Sequence, residues 1–383
     1  MLRVGVGLST ERDSARAAAQ AADVAMCSGG IEHADAALVF ATTHHGPAFG
    51  RTARTVSDVC RTREVSGCSA AGVLAGETEI EGGAAVAVLA LAGDVHARRF
   101  FVPTAPGAER VADDVAAVVD SVDDPALVVL FTDSYNVDAP ALLGALGRRL
   151  PHLPVVGGGA SEDGSVGEVS VFAGDASSSH AVAGMVLGGA LALRVGVTHA
   201  VRRVGPVRRV TAARGNLLVA LDGEPAYGVF EALVPAPLRE DLRRALAIVL
   251  VGLPVGDGEF VTRHLVGVDA ARGTIVLAAP VREGQELFFA VRDPQAARAD
   301  IQRLLAAEAA AWQDAAAGAL YVNCVGRGRG FHGVPGLDTA YIRQQFGGLP
   351  VAGFFSGAEI APGGGVTQLH QYTGVLVTLG ARA

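Results

Sequence analysis

Short runs of apolar residues recur along the chain, each followed by a polar or glycine-rich segment. The opening runs are DAALVFA, PALVVLF and GALYVN, and each is followed, after a longer stretch, by a second short run containing Gly67, Gly157 or Gly353. Short runs rich in Val and Leu are typical of strands that are covered on both faces. The pattern therefore predicts a β-loop-α-β unit that is used at least three times.

Longer segments with apolar residues at helical spacing predict helices over residues 10–27, 140–150 and 294–317, the first capped by Ser9 or Thr10. After residue 222 the strand candidates follow one another closely, as in an antiparallel sheet. We therefore predict an α/β protein of two domains, residues 1–222 and 223–383, with mixed sheets flanked by helices.

Composition and charge narrow the class of protein. Half of the 383 residues are apolar and 18% are charged, which is typical of a globular chain. The net charge of −8 disfavours binding to the phosphate backbone of a nucleic acid. The four cysteines form no C-x-x-C pair, and the charged N-terminus does not read as a leader peptide. No apolar stretch reaches the roughly 18 residues of a membrane helix. We expect a cytoplasmic protein with reduced thiols and no membrane partner.

Both halves of the chain carry motifs of a known family. The N-terminal half has the opening GLSTERDSARAAAQAA, the strand DAALVFA and the turn Gly67-Cys68-Ser69. The C-terminal half has NCVGRG, then LPVAGFFSGAEIAPGG, then LHQYTGVLV. The chain resembles the FIST family over nearly its whole length, with an N-terminal and a C-terminal FIST domain in order. Ala358 and Gln371 depart from the Gly and Asn that are common in the family at those positions.

The resemblance implies a sensory, signal-transducing protein that binds a small ligand, such as an amino acid, and acts through a separate signalling partner. It does not imply an enzyme, a cofactor or a metal. The alternative that the residues leave open is an enzyme with Cys324 or Cys68 as nucleophile and His44, His45 or His370 as base.

Candidate ligand-binding residues lie at the predicted carboxyl ends of the repeated strands, where ligands of open α/β sheets usually bind. Arg327 is suited to a carboxylate because its guanidinium matches two oxygens, and Glu359 is suited to a ligand amine. The alternative for Arg327 and Glu359 is a purely structural role in an internal ion pair. The complete candidate set is Arg327, Glu359, Cys324, Asn323, Gly353, Cys68, Ser69, His44, His370 and Thr373.

Metal binding and nucleotide binding are both disfavoured by the sequence. No H-x-x-H or H-E-x-x-H spacing is present, and His44 and His45 as strand neighbours would point to opposite faces. The glycines Gly5 and Gly7 lack the third glycine of a dinucleotide loop.

Overall fold

The computed structural model describes residues 2–234, 236–239, 241–256, 258–313 and 315–382. The chain forms two compact units, one of Met1–Thr198 with Asp300–Ala383 and the other of His199–Ala299. Helices flank mixed sheets in this part of the chain, which confirms the predicted fold class. The domain boundary at residue 222 concerns the two family domains and remains a prediction.

The first unit begins with two similar successions of strands and helices. The first comprises β1 (Arg3–Ser9), α1 (Ser14–Gly29), β2 (Ala36–Thr42), α2 (Phe49–Cys60), β3 (Val65–Ala70), β4 (Gly72–Ala75), β5 (Thr78–Glu81) and β6 (Val86–Ala92). The second comprises β7 (Val95–Pro103), α3 (Ala108–Val119), β8 (Pro125–Asp133), α4 (Ala139–Arg149), β9 (Val155–Ala160), β10 (Val171–Ala173), β11 (Ala176–Ser178) and β12 (Ala181–Gly189). We call them repeat one and repeat two.

A third succession starts with β13 (Leu191–His199) and is interrupted by the second unit. That unit comprises β14 (Val201–Arg214), β15 (Leu217–Leu221), β16 (Glu224–Pro225), α5 (Ala226–Leu233), α6 (Ala236–Arg239), α7 (Leu242–Ile248), β17 (Val249–Gly256), β18 (Glu259–Asp269), β19 (Thr274–Leu277) and β20 (Glu286–Arg292). Its strands follow the order β14-β20-β17-β18-β19-β15-β16, and β14 also pairs with β15. This extra pairing closes the sheet into a barrel.

Repeat three resumes after the barrel. It comprises α8 (Pro294–Trp312), β21 (Ala316–Cys324), α9 (Arg329–His332), α10 (Leu337–Phe346), β22 (Val351–Ser356), β23 (Glu359–Gly363), β24 (Val366–His370) and β25 (Thr373–Ala381). The barrel is thus an insertion between the first strand of this repeat and its first helix.

The sheets of the first unit share one strand order. From the outer strand inward and across, the orders are β1-β6-β2-β3-β10-β11, β7-β12-β8-β9-β23-β24 and β13-β25-β21-β22-β4-β5. In each sheet the third and fourth strands run parallel to each other. The threefold β-loop-α-β repeat predicted from the sequence is therefore confirmed.

Each repeat gives its hairpin to another sheet. The hairpin β4–β5 of repeat one pairs with β22, β10–β11 of repeat two pairs with β3, and β23–β24 of repeat three pairs with β9. This cyclic exchange interlocks the sheets. Between them, Phe40, Phe131 and Phe354 pack together with ring centroids 4.8 to 5.7 Å apart.

The glycines that mark the repeat in the sequence have a common steric cause. Gly67, Gly157 and Gly353 each pair with a residue of the parallel neighbour strand. A Cβ atom on them would lie 1.7, 2.1 and 1.7 Å, respectively, from the carbonyl oxygen of that residue. No side chain is tolerated at such a separation, so each repeat requires glycine there.

The helices start and end close to the predicted positions. The first helix begins at Ser14 and is capped by Asp13, which accepts a hydrogen bond from the Arg16 backbone nitrogen, so the predicted cap at Ser9 or Thr10 is wrong. The helix predicted over 294–317 ends at Trp312, because β21 begins at Ala316. In the described ranges no helix has the length and apolar character needed to cross a bilayer.

Candidate functional site

Arg327 is a fully buried guanidinium at the carboxyl end of β21. It ends a 3-10 turn, Val325–Arg327, that follows the strand directly. Its Nε donates to Oδ1 of Asn323 at 3.0 Å, and its Nη2 donates to Oδ2 of Asp338 at 3.0 Å. The hydroxyl of Tyr321 donates to the same Asp338 oxygen at 2.8 Å. Arg327 is therefore held at two of its nitrogens.

The charge of Arg327 is stabilised by its partner. Burial lowers the pKa of Arg327, but Asp338, Tyr321 and Cys324 together outweigh burial, and the net direction is upward. Burial, followed by Asp338, raises the pKa of Tyr321 well above its ordinary value, so this hydroxyl keeps its proton. The pair is a buried ion pair with a neutral donor beside it, and its aspartate was missed by the sequence analysis, which considered Glu359 as the partner.

Glu359 is a fully buried carboxyl group at the start of β23. Its Oε2 accepts hydrogen bonds from the backbone nitrogen of Thr373 at 3.1 Å and from the Thr373 hydroxyl at 2.7 Å. Burial raises the pKa of Glu359 to about 8, although Thr373, the Cys324 thiol and Arg327 oppose the rise. Near neutral pH this carboxyl group is mostly protonated.

Four polar side-chain atoms in this region are buried and make no hydrogen bond to any residue that the structure describes. They are Nη1 of Arg327, Nδ2 of Asn323, Oδ1 of Asp338 and Oε1 of Glu359. An unsatisfied buried polar group costs about 1–3 kcal/mol, and native proteins contain few of them. Their concentration around one guanidinium marks this place as a binding-site candidate. We call the following residues the third-repeat cluster: Tyr321, Asn323, Cys324, Arg327, Asp338, Glu359 and Thr373.

The other repeats show that the fold does not require these side chains. Strand pairing makes Glu359 and Thr373 equivalent to residues that are apolar in repeats one and two, namely Val73, Val171, Ala85 and Ala181. A buried carboxyl group that replaces valine must be compensated for its lost hydration. The polar character of this position is therefore special to repeat three.

Comparison with known proteins identifies the family. The FIST N domain matches residues 35–224, and the FIST C domain matches residues 226–362. The chain belongs to the FIST family. FIST domains are associated with sensory functions in signal transduction.

The FIST relatives found are uncharacterised. A protein of Mycobacterium tuberculosis strain CDC 1551 is 33% identical over 392 residues, covering 97% of this chain and 98% of its own. A Mycobacterium bovis protein is 32% identical, with 97% of both chains covered. A Methanocaldococcus jannaschii protein is 31% identical over 45% of this chain and 36% of its own. A crystal structure of cyanuric acid hydrolase from A. caulinodans covers both chains fully at a TM-score of 0.36 and 11% identity, which is too low to bear on function.

Neither candidate nucleophile of this FIST protein is activated. Cys68 and Cys324 are buried, and burial raises the pKa of both thiols well above the ordinary value. The Sγ of Cys324 accepts a hydrogen bond from the Gly326 backbone nitrogen at 3.4 Å. A catalytic thiol needs a lowered pKa and access to substrate, and these thiols have neither.

The remaining candidates divide between the cluster and repeat one. His370 is buried, stands opposite Glu359 in the β23–β24 pair, and its Nε2 lies 3.3 Å from the Ala361 carbonyl oxygen. Ser69 is buried in β3, where it donates to the Ser161 carbonyl oxygen at 3.2 Å. His44 is exposed in the 3-10 turn Thr43–His45 of repeat one. Gly353 lies in β22 against the Tyr321 carbonyl oxygen, and its role in ligand binding remains a prediction.

His45 is a buried polar residue whose importance the sequence analysis underrated. By strand register it is the repeat-one equivalent of Arg327, six positions after Val39 as Arg327 is six after Tyr321. Its Nδ1 lies 3.1 Å from the Ser14 hydroxyl, and burial lowers its pKa, so the ring is neutral near pH 7. Aligning the repeats of this FIST chain residue by residue would have found it.

Proposed function

We propose that this FIST protein is a small-ligand sensor whose ligand occupies the third-repeat cluster. The observation that carries the proposal is the presence of four hydrogen-bonding atoms without a hydrogen-bond partner on buried side chains at one place. A ligand that satisfied them would remove the free-energy cost of burying these atoms without hydrogen-bond partners.

The spare atoms define the chemistry of the ligand. Nη1 of Arg327 and Nδ2 of Asn323 are donors, and they suit a carboxylate. Oδ1 of Asp338 and Oε1 of Glu359 are acceptors that suit a hydroxyl or ammonium group, and an ammonium group would favour the ionised form of Glu359. The proposed ligand is therefore a small zwitterionic or anionic metabolite, with amino acids as the leading class.

Ligand entry has to move the segment that buries Arg327. This segment, residues 325–336, contains five glycines and is largely exposed apart from Arg327 and its neighbours. The hairpin β4–β5 holds it: Glu81 accepts from the Arg329 backbone nitrogen at 2.8 Å, and Glu79 accepts from the Gly336 and Thr339 backbone nitrogens at 3.2 Å. Release of this segment on binding is the proposed signal to a separate partner protein.

The proposed location is the cytoplasm. All four cysteines are free, and Cys60, Cys68 and Cys324 are buried thiols of the kind that persist in reducing compartments.

The test is a thermal-shift screen of amino acids and small carboxylates, followed by calorimetry on the compounds that stabilise the protein. Glu359→Gln keeps the shape of the site and removes the ionisable group, and we expect it to weaken binding roughly tenfold. Arg12→Gln alters an exposed arginine of repeat one, outside the segment 325–336, and should leave affinity unchanged. A ligand held equally by the wild type and Glu359→Gln would exclude Glu359 from the site, and a panel without any stabilising compound would contradict the proposal.

A further inference from the structure

The inserted barrel contains a pocket of its own, remote in sequence from the third-repeat cluster. It has a volume of about 420 Å³ and lies at the end of the barrel where β14 and β17 begin and β20 ends. Its wall is mostly aliphatic and aromatic, with the C-terminal part of α5 and α6 completing it. Lining residues include Val204, Phe230, Leu233, Leu238, Val249 and Phe289. Volume, apolar lining and a position at a barrel mouth are all typical of small-molecule sites.

The strand register places Arg202 at the outer edge of this apolar wall. Arg202 pairs with Val291, and Val204 pairs with Phe289 two positions further on. Residues two apart on a strand share a face, so Arg202 continues the face that carries Val204. Phe289 belongs to the barrel core at 1% exposure, whereas the Arg202 side chain is 59% exposed. The pocket thus changes from apolar inside to cationic at its opening.

The hydrogen bonds of Arg202 leave part of its guanidinium available. The Nε of Arg202 donates a hydrogen bond to Oδ2 of Asp293 at 2.8 Å. Asp293 is itself engaged, because its Oδ1 accepts from the Gln295 and Ala296 backbone nitrogens at 2.9 and 3.0 Å. Arg202, followed by the Ala296 backbone, lowers the pKa of Asp293, which keeps the carboxylate charged. Asp293 therefore holds Arg202 at its Nε, and the terminal nitrogens of Arg202 can bind another anion.

We propose that this pocket is a second ligand site, for a free alkyl carboxylic acid of medium chain length. The alkyl tail lies against Phe230, Val249 and Phe289, and the carboxylate binds the terminal nitrogens of Arg202. A cationic amphiphile would be repelled by this arginine and by Arg292 at the same opening, and a neutral one would gain only the apolar contacts. The site is independent of the third-repeat cluster, so either proposal can fail without the other.

The test measures decanoate binding to the full-length protein by calorimetry, with decanol, decylamine and decyl phosphate as comparison compounds. We expect decanoate to bind, decanol to bind roughly tenfold more weakly, and decylamine not to bind. Decanoate that fails to bind, or that binds no better than decanol, overturns the proposal. Binding of decyl phosphate in preference to decanoate also overturns it, in favour of a phosphate-headed amphiphile.

Three variants locate the site. Arg202→Gln should weaken decanoate roughly tenfold while leaving decanol unchanged. Val204→Trp should abolish binding by filling the pocket. Arg203→Gln is the matched control, because the Arg203 guanidinium lies 5.4 Å from the Phe288 ring centroid and donates to the Gly205 carbonyl oxygen. Because Arg202 is exposed, Arg202→Gln will fold even if Val204→Trp does not. Equal decanoate affinity in Arg202→Gln and Arg203→Gln would refute the role of Arg202.

Discussion

Glu359 is a buried carboxyl group at a position where the fold does not demand one. The equivalent residues, Val73 and Val171, are buried and apolar, so valine satisfies the fold at this place in two of the three repeats. Replacing a methyl-bearing side chain by a buried carboxyl group costs free energy unless hydrogen bonds compensate. Thr373 supplies two such bonds to one oxygen, and the other oxygen has none among the described residues. The proposed ligand would supply the partner of that second oxygen.

The first prediction concerns the pH dependence of stability at Glu359. Its ordinary pKa of 4.5 applies to the unfolded chain, and burial raises the pKa to about 8 in the folded protein. Between these values the unfolded chain releases a proton that the folded protein retains, so this residue lowers stability progressively as pH rises from about 4.5 to 8. Glu359→Gln should therefore be increasingly more stable than the wild type over that range and level off above it.

Urea denaturation at a series of pH values measures this difference. The exposed Glu32→Gln serves as the matched control and should show no such trend. Glu79, whose pKa is raised by burial to about 7, contributes equally to both proteins and cancels in the comparison. A constant difference between wild type and Glu359→Gln from pH 5 to 9 would show that Glu359 ionises normally in the folded state.

The second prediction concerns the buried ion pair. Asp338→Asn leaves the charge of Arg327 without its counter-ion at a site where both side chains are 1% exposed or less. Breaking such a pair costs about 3–5 kcal/mol, whereas replacing both members by apolar residues is often close to neutral. We expect the double variant Arg327→Met with Asp338→Leu to recover most of the lost stability. It will not recover the hydrogen bond from the Tyr321 hydroxyl, which loses its acceptor, and we expect it to bind no ligand. Chemical denaturation decides the point, and a double variant no more stable than Asp338→Asn would contradict it.

At the scale of elements, the sequence revealed what steric contact imposes locally. Glycine recurs at positions 67, 157 and 353 because each backbone lies too close to a neighbouring carbonyl oxygen for a side chain, so the contact is visible in the sequence. The exchange of hairpins between sheets has no comparable sequence pattern. Strands of three to five residues, such as β4 and β23, have a periodicity that shows neither their sheet nor their partner. Asp338 escaped notice for the same reason, since its pairing with Arg327 depends on where α10 packs.

The third prediction tests the steric role of these glycines. In Gly353→Ala the new Cβ would approach the Tyr321 carbonyl oxygen to 1.7 Å, and neither backbone can yield without disturbing the parallel pair. We expect a loss of about 3 kcal/mol or more. Gly330→Ala is the control, because nothing lies within 4 Å of its added Cβ, and we expect a gain of about 0.4–1 kcal/mol. Thermal unfolding compares the two variants, and similar melting temperatures would rule out the close contact.

At the scale of the whole molecule, the barrel is an insertion into a threefold design. The closely spaced strand candidates after residue 222 predicted an antiparallel sheet, but antiparallel strands alone do not show whether they extend a sheet or close on themselves. Closure depends on the pairing of β14 with β15. It is possible because β14 has fourteen residues and pairs with both β20 and β15. This long-range pairing lies beyond what local patterns encode.

The last prediction is that the threefold unit folds without the barrel. The chain enters and leaves the barrel at neighbouring points, because the Asp293 backbone nitrogen donates to the Ala200 carbonyl oxygen at 3.0 Å. A short glycine-rich turn from Ala200 to Asp293 therefore replaces residues 201–292 without stretching the ends, and loop closure of this length costs little. The buried apolar residues of the barrel form a cluster of their own around Phe230 and Phe289. We expect a cooperative urea transition and retained binding at the third-repeat cluster, but no decanoate binding. A shortened protein that unfolds without cooperativity would mean that the repeats depend on the insertion for their stability.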